Sequence, residues 1–233
     1  MKGIQDFVCL DLETTGLNPK QDRIIEIGMV KVRSGQIADT FSCLLDPRQE
    51  LDQRIEEITG ITSLELKNQP TQNEMLPKIL EFLGEDVLLG HRVLFDYSFL
   101  KRAFTNEKIS FERKGIDTLW LARKLVQDCE SKSLPKLCEH YHIEYRAHRA
   151  LSDALATVRL YQILVEQYYE EELFLPRPLV FRAKKESPIT KAQVNHLTQL
   201  IEKHGIDLKK EITSLTRNEA SRQIDRILST YGK

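Results

Sequence analysis

Apolar and polar positions alternate early in the chain and take helical spacing later. Residues 7–13 alternate and are closed by Thr14-Thr15-Gly16, which predicts a strand. Residues 24–33 and 36–45 predict two more, joined by the two-residue hairpin turn Ser34-Gly35. Helical stripes follow over 52–58, 73–83 and 94–104, with Val87-Leu88-Leu89 short enough for a buried strand. Further helices are predicted over 118–126, 134–142 and 150–169. A strand meander followed by strands alternating with helices predicts an α/β fold with a sheet of mixed direction.

The pattern breaks after residue 170. Glu170, Glu171 and Glu172 precede Pro176, Pro178 and Pro188, with Lys184-Lys185 among them, so 171–188 reads as a linker after a domain over 1–170. Residues 189–233 read as a small basic helical hairpin, an appendage too short to be very stable alone. Thr190 with Gln193, and Thr216 with Glu219, have capping-box spacing. Ala220, Ile224, Ile227, Leu228 and Tyr231 form one stripe on the second helix.

Composition adds a constraint and then a correction to it. With 41% hydrophobic and 30% charged residues in 233, the chain is ordinary for a soluble globular protein and unlike a collagen, a mucin stalk or a disordered chain. Its formal net charge of −1 argues against nucleic acid until the charges are placed. Residues 1–181 hold 23 Lys+Arg against 29 Asp+Glu, and residues 182–233 hold 11 against 6. The total conceals an acidic body and a basic tail, to which Lys209, Lys210, Arg217, Arg222 and Arg226 contribute. The start of the chain lacks the pattern of a secretory signal, and no apolar run reaches the length of a membrane span. Four irregularly spaced cysteines (Cys9, Cys43, Cys129, Cys138) read as reduced thiols, consistent with a cytoplasmic setting and no membrane partner. Cys129, Cys138, His140 and His142 invite a zinc reading, but their spacing fits no standard ligand pattern.

The chemistry lies in acids set in apolar segments. Asp11 and Glu13, two apart on the first strand, share a face otherwise made by Phe7 and Cys9. Side by side on a buried strand they repel and are costly to desolvate, which a divalent cation relieves. Oxygen donors of this kind suit Mg²⁺ or Mn²⁺. The alternative is a strand end emerging into water. Asp96 heads the stripe Phe99, Leu100, Ala103, and Asp153 heads Ala156, Leu160, Leu164; a helix-dipole role is the alternative for each. His148 lies five residues before Asp153, and an imidazole is suited to take a proton at neutral pH. Four carboxylates and a histidine on three elements suit phosphoryl transfer to water assisted by two metal ions.

These residues resemble a known family. Asp11-Leu12-Glu13-Thr14-Thr15-Gly16-Leu17, Gly90-His91-Arg92-Val93-Leu94-Phe95-Asp96 and His148-Arg149-Ala150-Leu151-Ser152-Asp153 resemble, in order, the three motifs of the DnaQ-like exonuclease superfamily. The histidine resembles its DEDDh branch, which includes the epsilon-type exonuclease domains of bacterial DNA polymerase III. Thr59-Gly60-Ile61-Thr62 and Ile116-Asp117-Thr118-Leu119 are similar to accessory segments, and the likeness covers about residues 5–168. It implies a ribonuclease H-like fold and 3′→5′ release of nucleoside 5′-monophosphates. Asp11, Glu13 and Asp153 would hold one metal ion, and Asp11 with Asp96 a second, with His148 as general base. Thr14, Thr15, Gly16 and Leu17 would meet the terminal nucleotide, together with His91, Arg92 and Phe99. Arg92 departs from the family, which usually has Asn there. Glu26, inside Ile24-Ile25-Glu26-Ile27, is read as a structural residue behind the site. DNA 3′ ends are the expected partner, with a DNA polymerase subunit as a second. RNA ends, or a polymerase-accessory role without catalysis, are the competing readings.

Overall fold

The computed structural model describes residues 2–144, 146–208 and 211–232. The chain divides into two units, Met1–Ala183 and Lys184–Lys233. In the first, one sheet is built from β1 (Phe7–Thr14), β2 (Ile24–Arg33), β3 (Gln36–Leu44), β4 (Leu88–Gly90), β5 (Lys114–Asp117) and β6 (Arg177–Pro178). Their spatial order is β3-β2-β1-β4-β5-β6. The first three strands form an antiparallel meander; β4 and β5 run parallel to β1, and β6 is antiparallel at the edge. This is the mixed sheet of a ribonuclease H-like α/β fold. Ser34 and Gly35 both have positive φ, 51° and 76°, as a two-residue turn matched to strand twist requires.

Alternation along β1 divides the core. Phe7 and Cys9 face α5 (Thr118–Leu125), α6 (Leu134–His140) and α7 (Ala150–Tyr168). Val8, Leu10 and Leu12 face α3 (Gln72–Leu83) and α4 (Val93–Asn106). Two short helices, α1 (Gln53–Thr59) and α2 (Ser63–Leu66), flank a smaller cluster of Ile25, Ile61 and Leu66.

The start of α7 lies directly on β2. A Cβ at Gly28 would come within 2.1 Å of Leu151 N and 2.2 Å of the Ala150 carbonyl carbon, backbone atoms with no room to yield. Gly28→Ala is therefore expected to cost about 3 kcal/mol and to push Asp153 away from β1. A urea unfolding midpoint unchanged from the parent would contradict this close approach.

The linker expected over 171–188 begins later than the sequence suggests. Residues 171–183 belong to the first unit: Phe174 is buried beside Tyr161 and Tyr169, Arg177–Pro178 pairs with β5, and Leu179 N donates to Arg113 O at 2.9 Å. Pro176 and Pro178 look like breakers, but a short edge strand tolerates a missing N–H.

The second unit holds α8 (Lys191–His204), a 3-10 turn at Ile212–Ser214 and α9 (Arg217–Tyr231) around Leu197, Leu200, Leu215, Ala220, Ile224 and Ile227. Both expected capping boxes form. The expected hairpin does not. The helix starts lie together, with Gln193 Nε2 donating to Arg217 O and Ser221 Oγ at 2.9 Å each, and the ends lie together, with His204 stacked on Tyr231 at 5.2 Å. The helices therefore run in the same direction. An amphipathic stripe does not encode this, and a connection of about a dozen residues is long enough to return along a helix of about 20 Å. Lys209 and Lys210 lie outside the described residues. No helix among the described residues is long and apolar enough to cross a membrane.

Candidate active site

Three elements converge at the C-terminal ends of the parallel strands β1 and β4. Asp11 and Glu13 continue the Phe7/Cys9 face of β1, the face that meets α7. Asp153 projects from the first turn of α7, and oxygens of Asp11, Glu13 and Asp153 lie within 4.8 Å of one another. Asp96, in the first turn of α4, is 3% exposed and accepts the Leu12 N–H at 3.1 Å, which fixes it beside Asp11. The chain enters α4 through Arg92 at φ 78°, whose N–H donates to Asp117 Oδ1 at 3.1 Å. The same Asp117 oxygen accepts from Leu119 N and Trp120 N at the start of α5.

The electrostatics follow from crowding acids in a low-dielectric site. Burial pushes the Asp11 carboxyl well above the usual carboxylate range, and the charges of Asp96, Asp153, Glu13 and Glu26 push it further. Burial does the same to Asp96. Glu13 is raised to about 7, by burial first and then by Asp153 and Glu26, with Arg149 opposing. Burial also raises Asp153, against the lowering effect of the Arg149 N–H and of His148. Closely spaced oxygen donors whose proton affinity is raised fit a hard divalent cation, which would take the protons' place.

The sign of the pH dependence follows. In the unfolded chain these acids titrate near ~4. Their folded values are higher, so the folded protein holds more protons above that pH, and their contribution to metal-free stability falls as pH rises, for Glu13 up to about 7. Burial lowers the His91 pKa, which acts in the opposite sense, but a comparison with Asp11→Asn cancels it. In EDTA, Asp11→Asn is expected to melt above the parent by a margin that grows from pH 5.5 to pH 8. A margin that shrinks would contradict the crowding.

The remaining expected residues divide into those that face outward and those that do not. Leu17 is 77% exposed, at the tip of the turn after β1. Thr14 Oγ1 donates to Gly16 O at 2.6 Å, and Thr15 Oγ1 accepts from Arg23 N at 3.0 Å and Gln49 Nε2 at 3.2 Å. Both hydroxyls thus close the turn on which Leu17 stands. At Gly16 a Cβ would meet the Asp22 carboxylate at 2.6 Å. Arg92 is exposed, its guanidinium 5.7 Å from the Phe95 ring centre. His148 is exposed at φ 62°, immediately before α7.

Two expectations are corrected. His91 uses both ring nitrogens inside the protein, Nδ1 with Thr118 Oγ1 and Nε2 with Lys132 O, each at 2.9 Å, and is a strut rather than a substrate contact. Phe99 is buried in the core, its ring 5.1 Å from that of Phe95. Its place on the stripe led by Asp96 makes it a packing residue. Conversely, Gly28 and Arg149 were not legible as parts of the site, and Glu26 was legible only as an odd acid in an apolar run.

Comparison with known proteins gives the family of the first unit. A family model described as Exonuclease, RNase_T, matches residues 8–161. The chain is 43% identical over 162 residues to a DNA polymerase III PolC-type of Thermotoga petrophila, covering 69% of this chain and 12% of that protein. It is 35% identical over 167 residues to the DNA polymerase III subunit epsilon of Aquifex aeolicus, covering 70% of this chain and 82% of the subunit. The chain thus spans about an eighth of the PolC-type relatives and most of the epsilon subunit. Among solved structures, Exonuclease X in complex with 5′ overhanging duplex DNA matches with a TM-score of 0.57 at 23% identity, covering 72% of this chain and 96% of that one. The nuclease domain of 3′hExo, a DEDDh family member bound to rAMP, matches with a TM-score of 0.62 at 20% identity, covering 74% and 96%.

Proposed function

The chain belongs to the exonuclease family, and from that premise we propose that it is a 3′→5′ exonuclease, a hydrolase of phosphodiester bonds that trims single-stranded DNA 3′ ends in proofreading or repair, releasing nucleoside 5′-monophosphates. The observation that carries the reading is the cluster of Asp11, Glu13 and Asp153 oxygens within 4.8 Å, with Asp96 held beside it. Asp11, Glu13 and Asp153 would hold one Mg²⁺ or Mn²⁺, and Asp11 with Asp96 a second. Bound there, the ions would supply charge to polarise the phosphodiester, lower the pKa of an attacking water and stabilise the leaving oxygen. His148 removes the proton that the water loses. Leu17 packs against a terminal base, on the turn that Thr14, Thr15 and Gly16 hold rigid. Arg92 supplies positive charge toward a strand phosphate.

The names of the relatives, components of DNA polymerase III, favour DNA over RNA and a polymerase subunit as partner. Digestion of matched DNA and RNA oligomers in Mg²⁺ tests the substrate. Faster release of 5′-monophosphates from DNA is expected, and release from RNA alone would overturn the DNA assignment.

The second unit serves this activity as a strand-holding appendage. Arg217 and Arg226 are exposed on α9 and Lys191 on α8, in a segment with a net positive charge. Phosphate contacts there raise the local concentration of long strands at the site. Deleting residues 184–233 is expected to weaken binding of long single strands on the order of 10-fold while leaving cleavage of very short oligomers unchanged. Equal losses on both would count against the role.

A further inference from the structure

Glu26 stands opposite Glu13 in the antiparallel register of β1 and β2, so both side chains leave the sheet on one face. Two acids so placed repel, and a carboxylate only 2% exposed needs partners. It has three donors: Arg149 Nε and Nη2 at 3.1 and 2.9 Å, and the Ala150 N–H at 3.0 Å. The guanidinium grips the carboxylate as a fork while the helix start adds its own N–H. The charges of Glu65 and Glu13 also act on Arg149, after that of Glu26.

Arg149 is the residue between His148 and α7. Its side chain is tied to β2, and its backbone N–H donates to Asp153 Oδ2 at 3.0 Å. The peptide that carries His148 is thus clamped to the sheet on one side and to a cluster carboxylate on the other. His148 itself adopts φ 62°, a conformation that costs a non-glycine residue about 1 kcal/mol and persists only where the surroundings impose it. Its ring has no hydrogen-bond partner among the described residues, so its place is set by the backbone beneath it.

We propose that Glu26 and Arg149 are a positioning pair that holds the His148 loop over the carboxylate cluster, acting on catalysis through His148 without touching substrate. The inference rests on the exonuclease reading. The test uses Glu26→Gln and Arg149→Lys in the full chain, each alone and combined with His148→Ala. Either substitution is expected to lower kcat about 10- to 100-fold, with KM and the half-saturating Mg²⁺ concentration within about twofold of the parent. In the His148→Ala background the same change is expected to alter kcat less than about threefold. NMR of the His148 ring in metal-free protein gives a second readout: both variants are expected to shift or broaden its signals. Equal losses with and without His148, a changed Mg²⁺ requirement in place of a changed kcat, or unmoved His148 signals would overturn the pair's role. If the parent protein releases no nucleotides, the exonuclease reading fails while the NMR arm still reports on positioning. If Glu26→Gln does not fold, Arg149→Lys, which keeps the charge and loses the fork, carries the test.

Discussion

Asp11→Asn is expected to release nucleotides at least about 10³-fold more slowly than the parent chain while folding normally. Asp11 is the residue on which the site's charges converge: Asp96, Asp153, Glu13 and Glu26 all act on its carboxyl. It is also the one acid assigned to both proposed ions. A neutral amide keeps the shape of the strand but removes the charge that draws cations in, and a loss of 10³ corresponds to about 4 kcal/mol of transition-state stabilisation. The same substitution relieves repulsion in the metal-free protein, so activity and metal-free stability move in opposite directions. A residue that merely supports the fold would lose both together. Steady-state rates and melting curves on one preparation check this, and a variant that is active, or inactive only because it is unfolded, would contradict the assignment.

His148→Ala is expected to lower kcat by about 10²- to 10⁴-fold, the usual contribution of a positioned general base. His148 is exposed and is not among the residues whose oxygens converge, so the variant should take up Mg²⁺ with the parent's affinity. Isothermal titration with Mg²⁺ beside single-turnover kinetics separates the two effects. A fall in metal affinity that accounts for the whole rate loss would show that His148 supports the cluster and does not move a proton.

Much of this is written locally in the chain. β1 reads from period-two alternation, β2 and β3 from runs of β-forming residues, and the turn between them from Ser34-Gly35. The stripes led by Asp96 and Asp153 are buried where helical spacing puts them. What the chain does not show locally is pairing at a distance. β5 has four residues and β6 two, and only their neighbours in the sheet make them strands. His91 and Phe99 lie within a motif, but adjacency says nothing of direction: one turns to Thr118 and Lys132, the other into the core. Glu26 meets Arg149 across 123 positions, so an acid that looks misplaced among isoleucines finds its reason only in the folded chain. The second unit repeats the lesson, since two capped amphipathic helices look the same in sequence whether they run together or opposed.

The most direct measurement of the central claim is the digestion of a 5′-labelled single-stranded DNA oligomer in Mg²⁺, followed on a sequencing gel beside EDTA and Asp11→Asn controls. The arrangement of Asp11, Glu13, Asp96, His148 and Asp153 predicts a ladder that shortens from the 3′ end one nucleotide at a time, absent from both controls. Early release of the label as a mononucleotide, or a ladder that persists in EDTA, would contradict it.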